Sequence, residues 1–150
     1  MRENHYIRLA VMTGLSFIAM YILMYAMVDR AGHVYNSINQ VYMAILMAAP
    51  MALIEIGVMH EMYKKRNFNI TVMALSVIVG IGAFTLIRFQ SSVGDTQFVR
   101  SMIPHHSGAI LMCREAPLKD RELKDLCSEI IRGQQKEIDQ MTAILARLDR

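Results

Sequence analysis

Three long runs of apolar residues dominate the first ninety positions of the chain. They cover residues 7–28, 41–59 and 70–87, and the charged residues inside them are Arg8 and Glu55. Because an α-helix rises about 1.5 Å per residue, each run can cross a hydrocarbon core about 30 Å thick, the third only just. The pattern therefore predicts an all-α protein whose residues 1–89 form a transmembrane region with three spans.

After the third run the pattern changes from continuously apolar to amphipathic. A short polar linker, residues 90–94, precedes a domain formed by residues 95–150. Apolar positions in this domain recur every three to four residues on both sides of a turn at 116–120, which predicts two helices. Asp95 and Asp120 are placed to cap the first turn of each helix. The domain is therefore predicted to be a helical hairpin.

Lysine and arginine set the expected orientation in the membrane. Arg2 and Arg8 lie at the start of the first span, residues 64–66 are all basic, and the first loop has only Arg30. Loops rich in basic residues stay in the cytoplasm. We therefore expect a multi-pass protein of a bacterial inner membrane, with a cytoplasmic N-terminus and an extracytoplasmic hairpin domain.

The overall charge does not indicate nucleic-acid binding. The formal net charge is +3, but residues 95–150 contain nine basic and nine acidic residues, so the excess lies among the spans and their loops. The composition is 54% hydrophobic, which fits membrane spans. We expect the lipid bilayer, and no nucleic acid, as a partner.

The hairpin domain is small for an independent fold. Two helices bury too little apolar surface to be stable alone. A second hairpin would complete a four-helix bundle. We therefore predict a homodimer, with docking on the membrane region as the other way to cover the apolar stripe.

Side chains that can bind a metal are concentrated in one stretch of the first hairpin helix, SMIPHHSGAILMC (residues 101–113). Helical spacing puts Met102, His105, His106, Met112 and Cys113 along one broad side. Imidazole, thioether and thiol donors suit copper(I) best and zinc second, whereas the scarcity of oxygen donors disfavours magnesium and calcium. The alternative is that these are ordinary core residues and that one histidine is a satisfied buried polar group.

Antiparallel pairing about the turn predicts which residues face each other. It places His106 opposite Ile130 and Cys127 opposite Ala109. In this register Cys113 and Cys127 are offset by about one helical turn, so a disulfide would require the helices to slide. We therefore count Cys127 with Cys113 among the soft ligands.

Two sets of methionines in the spans form a second pattern. Each set is spaced three or four residues apart near the expected outward end of its span, which would place thioethers in one leaflet. The sets are Met20, Met24 and Met27 in the first span and Met43, Met47 and Met51 in the second. They are a candidate secondary path for copper(I); the alternative is flexible packing between helices.

The motifs of common enzymes are missing from the sequence. There is no nucleophile-elbow pattern around a serine and no phosphate-binding glycine loop. A dimetal centre would need several glutamates with E-x-x-H pairs, and the first hairpin helix has one glutamate, Glu115, and no such pair. We therefore expect the protein not to be an enzyme.

The segments GDTQFVRSMIPHHSGAILMC and EIIRGQQKEIDQM resemble the bacterial domain-of-unknown-function family 305. The match covers about the last third of the chain, and the whole chain resembles a membrane-anchored subgroup with methionine-rich spans. The residues that carry the resemblance are Asp95, Phe98, Met102, Ile103, His105, His106, Glu137, Ile138 and Met141.

The resemblance implies a ferritin-like helical bundle outside the cytoplasm and a link to periplasmic copper. It puts Met102, His105, His106 and Met141 first among the candidate ligands. The leading hypothesis is a membrane-anchored protein that sequesters copper(I) or passes it to periplasmic copper-handling proteins. The alternative is a membrane-anchored helical interaction module with structural histidines and no metal.

Overall fold

The computed structural model describes residues 5–149, and within that range it contains helices and loops but no strand. The prediction of an all-α protein is therefore confirmed. The α-helices are α1 (His5–Leu23), α2 (Ile38–Val58), α3 (Arg66–Arg88), α4 (Asp95–Glu115) and α5 (Arg121–Leu148), and two short 3-10 helices, Met24–Met27 and Ala31–His33, join α1 to α2.

The chain divides into two compact units that are not contiguous in sequence. The first unit contains the chain up to Leu23 together with Asn39–Ser91. The second unit contains Met24–Ile38 and the chain from Ser92 onward. The segment between α1 and α2, predicted to be a loop of the membrane region, is thus part of the same unit as the hairpin.

Three helices of the described chain are long and apolar enough to cross a membrane. They are His5–Met27, Ile38–Val58 and Arg66–Arg88. The third begins four residues before the predicted span at 70–87, so it has more than the bare length needed to cross. Only 6% of the most apolar window is buried in the first and third of these helices, against 28% in α2, as expected if most of their side chains face lipid.

Helix α2 supplies the small side chains of the first unit. Ala44, Ala48, Ala49 and Ala52 are all buried, and small residues allow helices to approach closely. Ala52 and Ile56 form a buried cluster with Leu9 of α1 and with Tyr63. The Tyr63 hydroxyl donates a hydrogen bond of 3.1 Å to Glu55, so the one acid inside the predicted spans has a partner.

The first methionine set does not form a continuous stripe on one α-helix. Helix α1 ends at Leu23, so Met20 lies on α1 while Met24 and Met27 lie in the 3-10 helix of the second unit. A 3-10 helix has about three residues per turn, which rotates its side chains away from the α-helical spacing. Met43, Met47 and Met51 do lie together on α2. The role of either set as a copper path stays a prediction.

The second unit is built around an antiparallel pair of helices, α4 and α5. Its buried core comprises Val99, Ile103, Ile110, Ile138 and Leu145. At the end far from the turn, Arg100 bonds both carboxylate oxygens of Asp149 at 3.1 Å. Among the described residues α4 and α5 are two antiparallel helices joined by a short turn, and α4 continues through Pro104. The ferritin-like form of this hairpin stays a prediction.

Capping agrees with the sequence at one helix and differs by one residue at the other. Asp120 accepts a hydrogen bond of 2.9 Å from the Leu123 backbone amide, as predicted. The N-cap of α4 is Gly94, and Asp95 lies in the first helical turn instead. An acid in the first turn still stabilises the helix through the macrodipole.

The segment from α1 to α2 adds a third layer to the hairpin. Tyr35 packs against the α4–α5 core, and the Ile38 backbone amide donates to the Gln97 side chain at 2.9 Å. A Cβ added at Gly108 would lie 3.3 Å from the Met27 carbonyl oxygen, so this glycine permits a close approach. The hairpin therefore has more cover than two helices alone provide, and the predicted homodimer stays a prediction.

Candidate metal centre

Helix α4 carries two adjacent polar residues that point to different neighbours. Adjacent residues on an α-helix point about 100° apart. His106 therefore faces α5, where its Nδ1 lies 3.0 Å from Oε2 of Glu137. Ser107, which is fully buried, faces the α1–α2 segment. At this level of the hairpin, α4 therefore lies between α5 and the α1–α2 segment.

The environment of His106 favours its neutral form. Burial lowers the pKa of His106 below its usual value of 6.5, the nearby Glu137 carboxylate raises it, and His105 lowers it. The Nδ1 atom is buried and lacks an aligned hydrogen bond, although Glu137 is within ion-pair distance. A neutral imidazole is the form that binds metals. Burial therefore favours the form of His106 that a metal site would require.

Replacing Glu137 by glutamine is expected to lower the pKa of His106 further. The carboxylate favours the protonated imidazole, and its removal leaves burial and His105, which both disfavour that form. Histidine ring signals followed by NMR across a pH titration would measure the shift. Glu129→Gln, an exposed carboxylate on the same helix, should leave the pKa of His106 unchanged. A rise in the pKa of His106 in the Glu137→Gln variant would contradict this reading of the pair.

The other candidate donors lie on both helices near this pair. His105 is exposed, and its ring centroid is 6.0 Å from that of His106. Met102 is half-buried one turn before His106, and Met141 is half-buried one turn after Glu137. Because α4 and α5 are antiparallel, Met102 and Met141 lie at the same level of the hairpin. Four donors are thus grouped within about one turn.

The predicted register of the hairpin was wrong. His106 faces Glu137 rather than Ile130, a difference of seven positions or about two helical turns. The backbones of Ala116 and Asp120 are extended, so the linker carries the chain onward and α5 begins beyond the end of α4. The prediction assumed that the two helices are arranged symmetrically about the midpoint of the turn. Because the first residues of α5 extend beyond the end of α4, an overhang of α5, each residue of α4 faces a residue farther along α5 than predicted.

The two cysteines also face each other, because Cys127 lies opposite Cys113 rather than Ala109, a difference of four positions or about one helical turn. Cys113 and Cys127 form a disulfide, with their Cα atoms 5.1 Å apart. Metal ligation by cysteine requires the thiolate. In this state neither residue is a thiol ligand, so the expectation of two cysteine donors is corrected.

Met112 lies apart from the other donors. It is 54% exposed and precedes the disulfide residue Cys113. It lies six residues after His106, about 9 Å along the helix axis. It therefore does not belong to the group of donors formed by Met102, His105, His106 and Met141.

Sequence reasoning missed the contribution of the α1–α2 segment. The Asp29 backbone amide donates to Oγ of Ser107 at 2.9 Å, and Nδ1 of His33 lies 2.9 Å from the same oxygen. The Asp29 side chain pairs with Arg114 near the end of α4. The spacing of residues in the sequence does not predict these contacts, because they join residues more than seventy positions apart.

The types of donor in this group can be compared with the ligands that zinc and copper(I) prefer. Within residues 5–149, no group of three or more His, Cys, Asp or Glu side chains converges on a metal position. A structural zinc site needs about four such ligands, whereas thioethers are donors that suit copper(I). Two imidazoles with two thioethers therefore fit copper(I) better than zinc.

Comparison with known proteins covers both the hairpin and the whole chain. The family model described as "Domain of unknown function (DUF305)" matches residues 85–149. The chain is also similar to a protein of Acanthamoeba polyphaga mimivirus described as "Uncharacterized protein L153", with 34% identity over 135 residues, which is 87% of this chain and 86% of the viral protein. No solved structure matches the chain. The family-model match over residues 85–149 and the similarity to the viral relative over most of both chains place this chain in the family described as DUF305.

Proposed function

We propose that this protein is a membrane-anchored metal-binding protein that holds copper(I) in its hairpin domain, on the outer side of a bacterial inner membrane. Its role is to sequester the ion or to pass it to a periplasmic copper-handling protein. The observation that carries this proposal is the half-buried His106, whose Nδ1 lies 3.0 Å from Oε2 of Glu137 and which has Met102 one turn before it on α4.

The contact with Glu137 supports Nε2 as the atom of His106 that would bind the metal. Ligating histidines usually direct their second ring nitrogen toward a carboxylate or carbonyl, which orients the ring. Since Nδ1 of His106 faces Glu137, Nε2 is left as the donor. His105, one residue earlier and exposed, would supply the second imidazole.

Methionine thioethers would complete the coordination of copper(I). Met102 and Met141 lie one turn from the His106–Glu137 pair on their respective helices. Thioethers favour copper(I) over harder ions and stay neutral at any pH. The Cys113–Cys127 disulfide fits an oxidising compartment outside the cytoplasm. A copper(I) site built from imidazole and thioether donors needs no free thiol, so it can form in such a compartment.

The topology of the chain supports the proposed location. If α1, α2 and α3 all cross the bilayer, the α1–α2 segment and the chain after α3 emerge on the same side. These two segments are the ones that pack together in the second unit. The basic cluster at residues 64–66 then lies on the opposite side, which the positive-inside rule makes cytoplasmic.

The alternative function is a membrane-anchored interaction module without a metal. Phe98, Leu123 and Leu126 of the hairpin are each about half exposed, at 51%, 48% and 49%. Phe98 lies at the end of the hairpin far from the turn, so the apolar surface that a partner would cover is the pair Leu123 and Leu126, one turn apart on α5. A second copy of the hairpin is the partner we expect, which would complete a ferritin-like four-helix bundle.

Anaerobic titration of copper(I) against a competing chelator distinguishes these two functions. The protein is purified in detergent without thiol reductants, so that Cys113 and Cys127 stay paired. We expect the wild-type chain to bind one copper(I) per hairpin, and the double variant His105→Ala/His106→Ala to lose that site because both imidazole donors are removed.

The matched control removes two histidines from outside the hairpin. His5 lies at the start of α1 and His60 lies in the loop after α2, both in the first unit. The variant His5→Ala/His60→Ala should therefore bind copper(I) like the wild type. Equal, weak binding by the wild type and the His105→Ala/His106→Ala variant would exclude the metal site and support the interaction module.

A further inference from the structure

A pocket of about 510 Å³ in the second unit is lined by segments that are distant in sequence. The α1–α2 segment contributes Arg30, the end of α4 contributes Arg114, and one face of α5 contributes Arg132 and Lys136. Four cationic side chains thus surround one concave surface. Its volume is within the range of about 300–1,000 Å³ found for small-molecule sites.

A buried carboxylate holds the two arginines on one side of this pocket. The Asp29 side chain is only 3% exposed and pairs with Arg114. Nε of Arg30 lies 3.4 Å from the other oxygen of the same carboxylate. Because Asp29 is fixed to α4 through its backbone bond to Ser107, both guanidinium groups are positioned at the pocket wall.

The α5 side of the pocket carries two like charges. Arg132 and Lys136 are exposed and lie one turn apart on α5, an arrangement of like charges that destabilises a helix. The acid on this wall, Asp139, accepts a hydrogen bond of 2.8 Å from the Gln135 side-chain amide. With Asp29 and Asp139 set against the four cations, the pocket has a net charge of two positive units.

We propose that this pocket binds a dianionic phosphate group. Guanidinium groups match phosphate oxygens with paired hydrogen bonds, and lysine adds a compact positive charge. A phosphate monoester carries nearly two negative charges at neutral pH, which equals the excess charge of the pocket. The group belongs either to a soluble phosphate or to the headgroup of a phospholipid such as phosphatidic acid. This proposal does not depend on metal binding, since it uses none of the proposed copper ligands.

Two binding measurements on the full chain in a neutral detergent test the proposal and separate the two sources. Calorimetric titration with inorganic phosphate, at constant ionic strength, measures the soluble group. Native mass spectrometry with phosphatidic acid, compared with phosphatidylcholine, measures the headgroup. We expect saturable one-to-one binding in at least one arm. In the Arg132→Gln/Lys136→Gln variant its affinity should fall by about tenfold or more, because two charge-assisted contacts are lost.

A matched variant distinguishes a site from a general charge effect. Arg121→Gln/Lys124→Gln removes one arginine and one lysine from the same helix, outside the pocket, and should bind like the wild type. Binding in neither arm overturns the proposal, and so does an equal loss of affinity in both double variants. Binding of inorganic phosphate identifies a soluble ligand, whereas binding of phosphatidic acid alone identifies a lipid headgroup.

Discussion

Replacing Ile103 by alanine is expected to lower the free energy of unfolding of the hairpin by about 2–5 kcal/mol. Ile103 has 0% of its surface exposed and belongs to the core that joins α4 to α5. The truncation removes buried methyl and methylene groups and leaves a cavity that neighbouring side chains fill only in part. Ile103 also lies directly before Pro104, where α4 already lacks one backbone hydrogen bond.

Amide hydrogen exchange of the full chain in detergent would measure this loss segment by segment. Protection should fall throughout α4 and α5, because the two helices share one core. Leu126→Ala is a truncation of similar size at a side chain that is 49% exposed, and it should change protection by about 0.5 kcal/mol or less. If Ile103→Ala and Leu126→Ala had the same effect, the packing described for this core would be wrong.

Replacing both cysteines by serine is expected to lower the stability of the hairpin by about 3 kcal/mol. The Cys113–Cys127 bond closes a loop with a sequence separation of 14 residues, which restricts the unfolded chain. The loss should be largest in the last turns of α4 and the first turns of α5. There the overhang of α5 leaves Leu123 about half exposed and the disulfide is the main link between the helices.

Exchange measurements on the Cys113→Ser/Cys127→Ser variant test the size of this effect. Mass spectrometry after thiol alkylation supplies the control: the wild-type chain should take up no label until it is reduced. Unchanged protection in the double-serine variant would show that packing alone holds this end of the hairpin. Labelling of the wild type without reduction would show that the cysteines are free, and they would then return to the set of candidate copper ligands.

Residue patterns identified most members of the candidate site but not the residues that face them. The M-I-x-H-H stretch identified His105 and His106, and the family resemblance brought in Met141 on the other helix. Helical periodicity cannot determine how far α5 slides along α4, because every shift of one turn keeps the apolar stripes in contact. The partner of His106 therefore changed from Ile130 to Glu137, and the two cysteines changed from separate ligands to a disulfide.

Local residue patterns were enough to predict the helices, the candidate spans and the antiparallel helix pair. These features follow from local composition and periodicity: long apolar runs, a capping Asp120 and stripes repeating every three to four residues. Three features became visible in the folded chain alone: the register of α4 against α5, the burial of Asp29 and the docking of the α1–α2 segment on Ser107. Those features depend on contacts between residues far apart in the chain, and many arrangements of the same helices satisfy the local pattern equally well.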